Sequence, residues 1–188
     1  MQLAESGFVG VPVGLILLVG PPASGKSSFA RAWVEYGEID AGGVVSCDAI
    51  RGQLFGERVR VADDPVVFSE MDSRVATRLA AGQPVVVDAT NVVPGARARM
   101  IAWAQQHGRP VTALRFHVEN GVLVRRNALR IGHARVPAED VLDYAVRAAA
   151  HGSRDQLLGE GIDLVVDVPG EAEGASPAEA AQAIRLGA

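Results

Sequence analysis

The chain has 188 residues, a net charge of −4 and one cysteine, Cys47. That length suits a single α/β domain with a real core, the charge gives no overall pull towards nucleic acid, and a lone cysteine excludes an internal disulfide. The N-terminus lacks the basic region of a signal peptide, no apolar run reaches the length of a membrane span, and the histidines show no metal-ligand spacing, so a cytoplasmic protein without membrane contact is expected.

The first predicted strand is the apolar run over residues 13–19. It leads into Gly20-Pro21-Pro22-Ala23-Ser24-Gly25-Lys26-Ser27, which matches the P-loop pattern G-x-x-x-x-G-K-[ST]. Ser28 and the residues after it open a helix. Strand, glycine loop and helix together form a cradle whose backbone N–H groups point at phosphate oxygens. Lys26 is the only lysine in the chain. A compact ammonium bridges terminal phosphates as a point charge, which a planar guanidinium does less well. Ser27 is the expected Mg2+ ligand. Gly20, Ser24, Gly25, Lys26, Ser27 and Ser28 are therefore the expected nucleotide-binding residues, with ATP and Mg2+ as cofactors. Phe29, Trp33 and Tyr36 share a helix face and read as core.

A second strand is predicted at residues 44–47, with Cys47 as a small core residue. Asp48 and Arg51 follow. In an open parallel sheet, ligands sit at the carboxyl ends of strands, so Asp48 belongs near the P-loop mouth. There it can accept the proton of an attacking hydroxyl, and Arg51 can hold an anionic group. The competing reading is that Asp48 caps the helix over residues 49–55. The segment 55–69, with Arg58, Arg60, Asp63 and Asp64, is expected to form part of the acceptor wall. Asp64-Pro65 starts a helix that ends at Gly82.

The third strand, residues 85–88, ends in Asp88. This acid either serves Mg2+ through water or pairs with Arg51. Thr90 and Asn91 line the acceptor side or make the turn before a helix that starts at Pro94. A fourth strand is predicted at residues 111–118. From 123 to 136 the chain carries Arg125, Arg126, Arg130 and Arg135 with no acid. Arg126 and Arg130 have i, i+4 spacing on one helix face, and this segment reads as an arginine-bearing lid over the transferring phosphate. Helices from Pro137 to about Gly152 and from Ser176 flank a fifth strand at 163–168 and a loop at 169–175. The expected fold is a three-layer α/β P-loop kinase fold: a five-stranded parallel sheet, helices on both faces and a helical lid at about 120–150, all in one domain spanning 1–188.

Four motifs occur in order: the P-loop, Ser46-x-Asp48-x-x-Arg51, Asp88-Ala89-Thr90-Asn91, and Arg126-Asn127-x-x-Arg130 followed by Arg135-Val136-Pro137. Over about residues 15–147 this set resembles the polynucleotide 5′-kinase branch of the P-loop phosphotransferases, and the chain reads as the kinase module alone. The resemblance implies that Asp48 is the general base for a 5′-hydroxyl. It implies that Arg51 contacts the acceptor's phosphate, that Asp88 helps hold Arg51, and that Arg126 is the lid arginine at the γ-phosphate, with Arg130 a second candidate. The expected partners are a nucleotide donor and a 5′-hydroxyl nucleic acid. A small-alcohol acceptor is the alternative, as in an antibiotic, nucleoside or sugar kinase. A third reading is a nucleotide-binding switch or ATPase, against which Asp48 and the lid arginines argue.

Overall fold

The computed structural model describes residues 8–56, 64–132 and 135–187. The central sheet contains β2 (Leu15–Val19), β3 (Val44–Ser46), β4 (Val85–Asp88), β5 (Val111–Phe116) and β6 (Leu164–Val168). Its order is β3-β4-β2-β5-β6 and every pairing is parallel. These strands are short and rich in branched residues because both faces are covered. In β2, Leu15, Leu17 and Val19 enter one core and Ile16 and Leu18 the other, as the two-residue strand period requires.

The two cores belong to different helix layers. α1 (Lys26–Glu35) and α8 (Pro177–Gln182) cover one face through Phe29, Ala30, Trp33, Ala180 and Ala181. α3 (Asp64–Ala80), α4 (Pro94–Gln106) and α7 (Arg154–Gly159) cover the other through Met71, Val75, Leu79, Met100, Ile101 and Leu157. The remaining helices are α2 (Cys47–Phe55), α5 (Asn120–Ala128) and α6 (Ala138–His151).

The five predicted strands and the three-layer α/β architecture are present. Other expectations need correction. β1 (Val9–Val11) and β7 (Ile184–Leu186) form a separate two-stranded parallel sheet. The Trp33 indole N–H donates to the carbonyls of Ala181 (3.2 Å) and Ile184 (3.0 Å), and so fixes the turn that feeds β7. Tyr36 is the C-cap of α1 and is exposed, not core; Phe29 and Trp33 are fully buried. β3 stops at Ser46, and Cys47 starts α2 with its Sγ 3.2 Å from Met71 Sδ. α5 ends at Ala128, so Arg126 and Arg130 do not share a helix face.

Candidate functional site

The P-loop leaves the end of β2 at Gly20. A Cβ there would lie 3.0 Å from the Phe116 carbonyl oxygen and 3.0 Å from Ser24 Oγ, so only glycine lets the loop pass the end of β5. Gly25, the N-cap of α1, has φ 102°, and no side chain caps the helix. The first turn of α1 therefore presents its amides to an anion. Ala23 also has positive φ, at 66°, a costly conformation for a residue with a Cβ that keeps the loop curled.

Lys26 is buried, and its Nζ donates to the Pro21 carbonyl (2.6 Å) and to Ser24 Oγ (3.2 Å). Burial pulls its pKa from 10.5 down to about 8, Asp88 and Asp48 oppose that, and the Arg130 charge adds to it. Ser27 and Ser28 are exposed at the mouth.

Asp88 ends β4, in register with Ser46 of β3. Its buried carboxyl has a raised pKa, chiefly from desolvation, while hydrogen bonds with Ser27 and Ser46 and the charge of Lys26 pull the other way. A hydroxyl and a carboxylate joined in this way are hard oxygen donors suited to Mg2+. Ser27 and Asp88 are thus the residues that would hold the ion, which would supply positive charge to the phosphates. The expected Asp88–Arg51 pair is replaced: Arg51 donates to Asp48 Oδ1 (2.9 Å) and to Asp64 Oδ1 (2.8 Å). No spacing rule marks Asp64 as a partner of Arg51, because the two residues lie on different helices and meet only in the fold.

Ser46, not Asp48, caps α2, its Oγ accepting from the Ala49 N–H at 3.5 Å. Asp48 sits in the first turn with its side chain 91% exposed, so the capping role for it falls. The proposed wall residues Arg58, Arg60 and Asp63 lie outside the described residues.

Thr90 and Asn91 stitch the acceptor-side loop to the P-loop root. The Gly20 N–H donates to the Thr90 carbonyl (2.9 Å). Asn91, at φ 49°, donates from Nδ2 to the carbonyls of Leu18 (2.9 Å) and Val87 (3.1 Å). The Asn91 side chain is therefore committed to the backbone of two strands rather than turned towards an acceptor.

In the lid, Arg126 donates to Glu171 Oε2 (2.8 Å) and Arg125 to Glu171 Oε1 (3.1 Å). Both arginines close on the loop after β6, beside a crevice lined by Ser24, Gly25, Val118, Pro169 and Gly170. Arg130 is the lid arginine whose charge is felt at Lys26. Asn127 is buried and pins the lid loop by exchanging hydrogen bonds with the Val136 backbone, at 2.6 and 3.2 Å. Among the described residues no group of His, Cys, Asp and Glu forms a metal cluster, and no helix is long and apolar enough to cross a membrane.

A family model described as an AAA domain matches residues 15–151, so the chain belongs to that family. No curated protein matches it. Solved structures share its fold. A Chloroflexus aurantiacus protein described as a candidate kinase is 19% identical with TM-score 0.58, over 90% of this chain and 92% of that one. A chain of the Pnkp1/Rnl/Hen1 complex is 25% identical with TM-score 0.53, over 66% of this chain and 40% of that one. A gluconokinase of Sinorhizobium meliloti is 24% identical with TM-score 0.54, over 89% of this chain and 90% of that one. The architecture is that of the P-loop kinases.

Proposed function

We propose that this protein is an ATP-dependent kinase that transfers the γ-phosphoryl group to the 5′-hydroxyl of a polynucleotide. The observation that carries the reading is Asp48: an open carboxylate beside Arg51, close enough to Lys26 and Asp88 for its charge to act on both. Oδ1 is bonded to Arg51, which leaves the second oxygen for the hydroxyl proton. As that proton moves to Asp48, the hydroxyl oxygen bonds to the γ-phosphorus and the bond to the bridging oxygen breaks, releasing ADP. Lys26, the P-loop amides and Arg130 counter the charge that spreads over the phosphoryl oxygens. Arg126 then belongs to the Glu171 side of the donor site, and Arg130 takes the phosphate role first assigned to Arg126. A Pnkp1/Rnl/Hen1 complex, described as an RNA repair complex, is among the structural relatives and supports a polynucleotide acceptor.

The gluconokinase relative supports a small alcohol instead. A cavity of about 180 Å3 adjoins Gly20 and Pro21, but the rest of its lining comes mainly from β5, the segment after it and α6, including Arg115, His117 and Ala148, and not from Asp48, Lys26 or Asp88. It lies away from the proposed base, so it is not offered as the acceptor site. The test is γ-labelled ATP with 5′-hydroxyl oligonucleotides, neutral sugars, sugar acids and no acceptor. Label in the oligonucleotide is expected. Label only in a small alcohol replaces the acceptor, and phosphate release alone makes the protein an ATPase or switch.

A further inference from the structure

Arg97 was not singled out by any sequence motif, yet it is fully buried. Four hydrogen bonds leave its guanidinium. Nε donates to Glu160 Oε2 (2.6 Å), Nη2 to Glu160 Oε1 (2.5 Å) and to the His151 carbonyl (2.8 Å), and Nη1 to the Asn91 carbonyl (2.7 Å). Burying a charge is costly even when paired, and a packed apolar side chain of similar volume is often as stable. The contacts therefore call for an explanation beyond stability, and their placement supplies one.

The two carbonyls belong to different parts of the machine. Asn91 holds the end of β4, next to Asp88, against the end of β2 and the root of the P-loop. His151 is the last residue of α6, the helix that returns from the lid. Only Val141 of α6 is buried, so apolar packing fixes little of this helix. Its C-terminal root is held by polar contacts: Arg97 on His151 and Arg115 on the Gly152 carbonyl at 2.9 Å. Gly152 itself has no room for a side chain, since a Cβ would lie 2.5 Å from the Ala148 carbonyl oxygen.

We infer that Arg97 is a positioning residue: it fixes the loop of Asp88–Asn91 and ties that loop to the root of the lid helix, so that nucleotide at the P-loop and the position of the lid are linked. This rests on the kinase reading for its effect on turnover, but the linkage itself is measurable without an acceptor. A lysine cannot replace the arginine, because one ammonium does not span the Asn91 and His151 carbonyls with the geometry of a planar fork. Glu160, by contrast, neutralises the charge without touching either segment, so Glu160→Gln weakens the fold and leaves the tie in place.

Amide hydrogen exchange with and without ADP tests the tie. In the unaltered protein, ADP should slow exchange at residues 20–28, at 88–93 and at 148–152. Protection confined to 20–28 overturns the inference without any variant. In Arg97→Lys, protection at 20–28 should persist and that at 148–152 should vanish. Turnover should fall about tenfold with the KM for ATP within about twofold, as expected for a misplaced site that still binds its donor. Glu160→Gln should lower the melting temperature while keeping the three-segment protection and near-normal turnover. If both variants lose turnover in step with stability, or if Arg97→Lys keeps full protection, Arg97 is only a structural ion pair. Should no acceptor take phosphate, the kinase reading falls, and the exchange pattern still decides the linkage.

Discussion

Raising the pH should weaken nucleotide binding through one residue. Burial holds the Lys26 ammonium at about 8, well below its ordinary 10.5. Phosphate oxygens in the cradle return it towards the ordinary value, so binding takes up a proton once the free protein has lost it. With those two values, affinity for ADP falls about eightfold between roughly pH 7.5 and 9, or about 1.2 kcal/mol. The assay is calorimetric titration of ADP in chelator, free of metal, in two buffers of different ionisation enthalpy. The heats should differ by an amount that reports proton uptake, largest near pH 9, and Lys26→Met should be nearly flat over the range. The same shift acts on the ligand-free fold with opposite sign. The unfolded chain holds the Lys26 proton between about 8 and 10.5 while the native chain does not, so the stability tied to this group rises across that window, by up to on the order of 3 kcal/mol. Unchanged ADP affinity with no proton uptake near pH 9 would refute the argument that Lys26 meets the phosphates.

Other perturbations separate the remaining roles. Asp48→Asn should keep ADP affinity in equilibrium titration and cut turnover by about 10²–10⁴-fold, the usual range for a general base; near-normal turnover removes it from the chemistry. Arg130→Ala should lower turnover more than Arg126→Ala does, with Arg125→Ala least harmful; the reverse order returns the phosphate role to Arg126. Glu171→Gln frees both lid arginines from an exposed pair worth about 0.2–1 kcal/mol, so nucleotide should bind up to about fivefold more tightly by fluorescence titration, and weaker binding would make Glu171 part of the site. Trp33→Phe removes the donor shared by the Ala181 and Ile184 carbonyls and should cost about 1–3 kcal/mol in urea unfolding.

The central sheet was legible because each strand is a short run of branched residues between loop and helix signals. Val85–Asp88 coincides with its predicted range for that reason. The P-loop was legible because its chemistry fixes spacing: Gly20 and Gly25 are required by close approach and by positive φ. The small sheet was not, since Val9–Val11 and Ile184–Leu186 are three residues each, too short for a period to register, and pair from opposite ends of the chain. Side-chain partners were the least legible. Arg51 reaches Asp64 across 13 positions, Arg126 reaches Glu171 across 45, and Arg97 reaches Glu160 across 63. Local spacing marks which residues carry charge, and tertiary packing decides which carboxylate each arginine meets. The Asn91 side chain shows the same limit: its motif marked it as special, but only the fold reveals that it bonds Leu18 and Val87.

On the proposed polynucleotide reading, Arg51 is the residue that would meet the acceptor. If Asp48 takes the hydroxyl proton, Arg51 beside it is placed to meet the phosphate on the 3′ side of the terminal nucleoside, a charge-assisted contact. The direct measurement is kcat/KM with a nucleoside and with its 3′-monophosphate, for the unaltered protein and for Arg51→Leu. Strong preference for the 3′-phosphorylated acceptor is expected, lost in Arg51→Leu mainly through a higher acceptor KM. Equal phosphorylation of neutral nucleosides or unrelated neutral alcohols by the unaltered protein would contradict it and make the protein a small-molecule kinase.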